Sequence, residues 1–248
     1  MVAIDSASAQ HFGCYQYNRA TTPNIDGLAA EGATYLNFSS PIDFELIALS
    51  SSLSDTYSTS LVSSHYSIFE NQAFEQIVNT SQPSLSDRLF INSVPNFKPK
   101  TNRAQASMAM QLIKDSNRQG EPFFMVYNLQ GCKFPNDVPP HVVGHFSSPQ
   151  LSDQQKLVAT YDECIWHQDR LVADLIHRLD AIELREQTIV VICGSSNTTL
   201  FPNDGRLPLI VRFPRLVEAG SKVDEPINAD QVTSAISKLI NLANKPAT

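Results

Sequence analysis

Val2-Ala-Ile4 is a short apolar run that ends on a carboxylate, Asp5, the pattern of a buried parallel strand reaching its carboxyl end. Thr22 then precedes Pro23 as an N-cap before an N1 proline, and Ile25, Leu28 and Ala29 make a helical stripe that Gly32 is placed to stop. Strand, loop and helix thus form one α/β unit. A second run, Thr188-Ile-Val-Val-Ile192-Cys193, is almost wholly β-branched and suits a sheet centre. In open α/β sheets ligands bind where such strands end, so Asp5 is the first candidate site residue.

Between these strands the chain alternates in the same way. Pro122-Phe-Phe-Met-Val-Tyr-Asn128-Leu129 reads as a further strand. Thr101 caps a helix through Lys114 with Ala104, Met108, Leu112 and Ile113 facing inward. Ser152 to Leu179 is the clearest helix: Ser152 and Gln155 form a capping box, and Leu157, Val158, Tyr161, Ile165, Val172, Leu175, Ile176 and Leu179 recur at helical spacing. Trp166 and His167 on it read as packing and surface residues. Residues 50–100 are Ser-rich and read as irregular helix and loop.

At 248 residues the chain can bury roughly 70–75% of its unfolded surface in one core, so a single domain over 1–248 is expected. A net charge of −7 without a basic stripe argues against nucleic acid as a partner. No apolar run approaches the roughly 20 residues of a membrane span. Nor does a charged n-region precede an apolar one, so the sequence as written carries no export signal. That is consistent with a cytoplasmic chain if complete, and a periplasmic or extracellular one if an N-terminal anchor has been removed. Sequons at Asn37, Asn79 and Asn197 fit a secretory route but recur by chance. Cys14, Cys132, Cys164 and Cys193 show neither CxxC pairing nor metal spacing and read as buried free thiols.

The segment from Val2 to Tyr17, with Thr21-Thr22-Pro23-Asn24-Ile25-Asp26-Gly-Leu28-Ala-Ala-Glu31-Gly32, resembles the opening of a sulfatase, in the alkaline-phosphatase superfamily. The resemblance continues through Asn37-Phe-Ser-Ser40-Pro41, the strand ending at Leu129, Tyr161-Asp162, residues 205–214 and the closing helix around 239–246. It implies a three-layer αβα sandwich with a mostly parallel central sheet, and it makes Asp5 a metal ligand. A sulfatase next presents a Cys or Ser that is oxidised to formylglycine, then a Pro and an Arg. The hydrated aldehyde attacks sulfur while the metal and the Arg hold the developing charge. Here Glu45 stands at the nucleophile position, Ile47 at the proline's and Leu49 at the arginine's. A glutamate cannot become formylglycine, and a leucine cannot hold a sulfuryl group.

The family's second metal half, an Asp-His-Gly after a later strand, corresponds here to Ser195 and Ser196, neutral hydroxyls ill suited to a hard dication. Ser6 and Gln10 occupy two further positions where relatives carry Asp. Lys133 stands where a substrate-contacting His is usual and could attract an anion; His11 follows Asp5 as in relatives and either borders the old pocket or packs in its loop. His141 and His145 have a zinc-like i, i+4 spacing, but Pro139 and Pro140 favour a loop.

Two readings follow from the resemblance. In the first, the domain is a non-catalytic sulfatase-like module that binds an unknown ligand or protein partner and needs no cofactor. In the second, it is a divergent hydrolase of sulfate or phosphate esters built from Asp5, Asp43, Glu45, His11 and Lys133. Asp43 and Glu45, two apart on an extended segment, would then join Asp5 around Ca²⁺ or Mg²⁺; otherwise they turn to solvent.

Overall fold

The computed structural model describes residues 1–40, 58–63, 90–91, 102–129, 142–194 and 204–243. At its centre β1 (Val2–Ile4) lies between β6 (Phe123–Leu129) and β7 (Val190–Gly194), parallel to both. Beyond β6 come β4 (Ser58–Ser63) and β5 (Phe90–Ile91), again parallel. On the far side of β7 the sheet continues through β8 (Leu209–Arg212), β2 (Ala33–Tyr35) and β9 (Ser221–Val223). The β7–β8 and β8–β2 pairs are antiparallel, so the eight described strands, in the order β5-β4-β6-β1-β7-β8-β2-β9, form a mixed but mostly parallel sheet. A small second sheet pairs β3 (Phe38–Ser39) with β10 (Ile227–Asn228).

Side-chain alternation along these strands feeds two cores. Val2, Ile4, Met125, Tyr127, Leu129, Val190 and Ile192 point to one face, where they meet α1 (Pro23–Ala30), α2 (Asn102–Gln119) and α3 (Asp153–Asp180). Ala3, Val191, Cys193, Leu209 and Val211 point to the other, against Ala229, Val232 and Ile236 of α4 (Ala229–Ala243). Burial on both faces is why the central strands read as continuous apolar runs. Helices on both sides of one sheet make the three-layer αβα sandwich expected from the resemblance.

The expected α1 stripe is buried as predicted, with Ile25, Leu28 and Ala29 at most 5% exposed. Its punctuation differs from expectation. Gly32 has ordinary backbone angles, but a Cβ there would lie 2.4 Å from the Val211 carbonyl oxygen, so the glycine permits the close approach of β2 to β8. In α2 the inward residues are Ala106, Ala109, Met110 and Ile113, with Leu112 half-buried, and the helix runs on to Gln119. Gly120, at φ +69°, ends it: the Glu121 N–H donates to the Ser116 carbonyl, the wrap of a Schellman stop.

The largest departure is in the Ser-rich stretch, where Ser58–Ser63 is strand and not irregular chain. It pairs with β6 along its whole length, from Ser58 opposite Phe123 to Ser63 opposite Asn128. A six-residue ladder on an existing sheet edge overrides weak intrinsic preference, which is how strand propensity behaves in general. Cys164 departs from the free-thiol reading as well: it is disulfide-bonded.

Candidate functional site

The carboxyl ends of β1, β6 and β7 lie level, because Ile4 stands opposite Leu129 on one side and Gly194 on the other. Asp5 follows directly, 6% exposed, its N–H donating to the Leu129 carbonyl at 3.2 Å. Three parallel strands therefore end at one level, and Asp5 stands at that end. Asp43, Glu45, Leu49, Lys133, His141, Ser195 and Ser196 lie outside the described residues.

The turn after Asp5 is held in an unusual conformation. Ser6 is buried with φ +55°, a left-handed geometry that a non-glycine residue adopts only where its surroundings impose it. Tyr161 on α3 fastens this turn: its hydroxyl donates to the Ser6 carbonyl at 2.8 Å and accepts from the Ser8 N–H at 2.9 Å. Burial pushes this phenol's pKa well up, so it stays protonated and keeps both bonds across physiological pH. Ser6 in turn directs its hydroxyl toward Asp5 Oδ1, at a long 3.5 Å.

Next to Tyr161, the carboxylate of Asp162 is fully buried and gathers three donors. His11 Nδ1 stands 2.6 Å from one oxygen, while the Tyr17 hydroxyl and the Arg19 guanidinium each donate to the other at 2.7 Å. The His11 ring is also packed against Tyr17 and edge-on to Tyr161, at centroid distances of 4.7 and 4.8 Å. His11 is thus tied into its loop by α3. Gln10, where relatives carry Asp, is hydrogen-bonded to Asp204.

The same stretch of α3 fastens two further segments. Glu163, 1% exposed, accepts the N–H groups of Gly144, Phe146 and Ser147 at 3.0 Å each. His145 lies in this turn, exposed and stacked on Trp166 at 4.2 Å, with Arg170 over the same indole. A turn does not set up the helical spacing on which a zinc pair with His141 would depend. Asp169 accepts from the Asn24 and Ile25 N–H groups and from the Asn24 amide, and so caps α1 from a different helix. Thr22, expected to be that cap, instead accepts from the Gly13 N–H and donates to Asp26. Burial raises the Asp169 carboxyl to about 6, against the pull of its N–H donors.

Asp162, Glu163 and Asp169 are the residues that sequence reasoning missed. The one sequence signal was spacing: Asp162 and Asp169 are seven apart, so they share a helix face, and Asp162 follows the inward Tyr161.

The sulfatase family profile matches residues 54–242, about three quarters of the chain. The chain belongs to the sulfatase family. No curated protein sequence matches it. Among solved structures, this sulfatase-family chain is similar to the lipoteichoic acid synthase LtaP from Listeria monocytogenes, with TM-score 0.72 and 14% identity over 96% of this chain and 70% of that one. It is similar also to an alkaline phosphatase superfamily protein from Vibrio parahaemolyticus, with TM-score 0.70 and 12% identity over 99% and 69% of the two chains. A third similar structure, the phosphonate monoester hydrolase of Agrobacterium radiobacter, has TM-score 0.60 and 11% identity over 97% of this chain and 73% of that one. At such identities the likeness is one of fold.

Sulfatase-family members typically use a divalent cation, so the described donors bear testing against one. Asp5 supplies a carboxylate at the strand end, but Ser6 beside it is neutral and Gln10 is engaged elsewhere. Among the described residues no group of three or more His, Cys, Asp or Glu side chains comes together as a metal-binding set. The described part of the site therefore does not by itself fit a hard dication, which prefers six or more oxygens with net negative charge. Nor, among the described residues, is any helix long and apolar enough to cross a membrane.

Proposed function

We propose that this sulfatase-family protein is a non-catalytic domain that uses the strand-end region around Asp5 to bind a ligand or a protein partner. The observation that carries this reading is the contrast at the site between scaffold and chemistry. The loop bearing Asp5 is clamped by Tyr161 and Asp162, and α1 is capped by Asp169. The positions that the resemblance assigns to nucleophile, charge stabiliser and metal are instead Glu45, Leu49, Ser195 and Ser196, with Ser6 and Gln10 beside Asp5. Losing a nucleophile and its electrostatic partners together removes the groups that lower the barrier, while the end of a parallel sheet remains a place where ligands bind.

The test pairs turnover with metal binding. Purified protein is assayed against aryl sulfates and aryl phosphates, and its metal content is measured alongside the thermal midpoint with and without Ca²⁺ or Mg²⁺, since an ion that binds only the folded state must raise that midpoint. The expected result is no turnover above background and no shift. Hydrolysis that disappears in Asp5→Ala, with about one metal per chain lost in the same variant, overturns the proposal in favour of an ester hydrolase built on Asp5, Asp43, Glu45, His11 and Lys133.

A further inference from the structure

We draw no further inference here: the strongest candidate, the largely apolar cavity of about 390 Å³ at the end of the sheet opposite Asp5, between the first residues of β6 and β7 and the last turns of α4, carries nothing because nothing in the structure shows what covers it.

Discussion

Replacing Asp162 by alanine is the perturbation that most directly probes how the loop bearing Asp5 is held. The carboxylate is fully buried and accepts from His11, Tyr17 and Arg19 at 2.6, 2.7 and 2.7 Å. Alanine removes the acceptor common to all three and strands a guanidinium whose side chain is only 33% exposed. Breaking a buried charged pair by deleting one partner costs about 3–5 kcal/mol, most of it from the charge left without compensation. For a chain of this size each kcal/mol moves the thermal midpoint by roughly 2–4 °C, so Asp162→Ala should lower it by about 10 °C. Asp174→Ala is the matched control. Asp174 meets Arg178 at 2.8 Å on the same helix, but both side chains are at least 36% exposed, and such pairs contribute less than about 1 kcal/mol. The assay is calorimetry or chemical denaturation of both variants at pH 7. A loss for Asp162→Ala no larger than that of Asp174→Ala would refute the argument that α3 clamps the loop through this carboxylate.

Asp169 yields a pH prediction with a definite sign. Its folded carboxyl titrates near 6 against a reference of 3.8, so between those values the folded state holds more protons than the unfolded one and stability falls as pH rises. The stability of wild type relative to Asp169→Asn should therefore decline from pH 4 to pH 7 by at most about 3 kcal/mol; a difference that is flat or grows with pH would contradict it. Gly32→Ala places a methyl 2.4 Å from the Val211 carbonyl oxygen, backbone that cannot swing aside. It should destabilise the protein by about 1–3 kcal/mol, read as a lower urea midpoint with unchanged slope; a neutral substitution would show that β2 and β8 can part without cost.

Local patterning made much of the frame legible. The apolar runs at Val2–Ile4, Phe123–Leu129 and Val190–Gly194 are strands because both faces of the central sheet are covered, and continuous apolarity is the mark of that environment. The Ser152–Gln155 capping box starts α3 as read, Ser152 accepting from the Gln155 N–H and Gln155 accepting from the Ser152 N–H, since a cap involves only neighbours in the chain. Family membership was legible too, because the resemblance rests on short ordered motifs. Asp5 could be placed at a strand end for the same reason.

What only the tertiary structure decided are the features whose cause lies far away in sequence. Asp162, Glu163 and Asp169 look like the solvated face of a helix until residues about 20 to 150 positions away bring N–H, hydroxyl and guanidinium donors to them. A buried carboxylate is tolerated only with such partners, and helical periodicity does not encode where they come from. Ser58–Ser63 became a strand because β6 offered an open edge, and Cys164 became half of a disulfide because folding brought another thiol to it. Sequence by itself determined which segments bury apolar surface, since that depends on each residue's own transfer free energy. The architecture around Asp5 was decided in three dimensions, because polar burial depends on pairs and a pair exists only once the chain has folded.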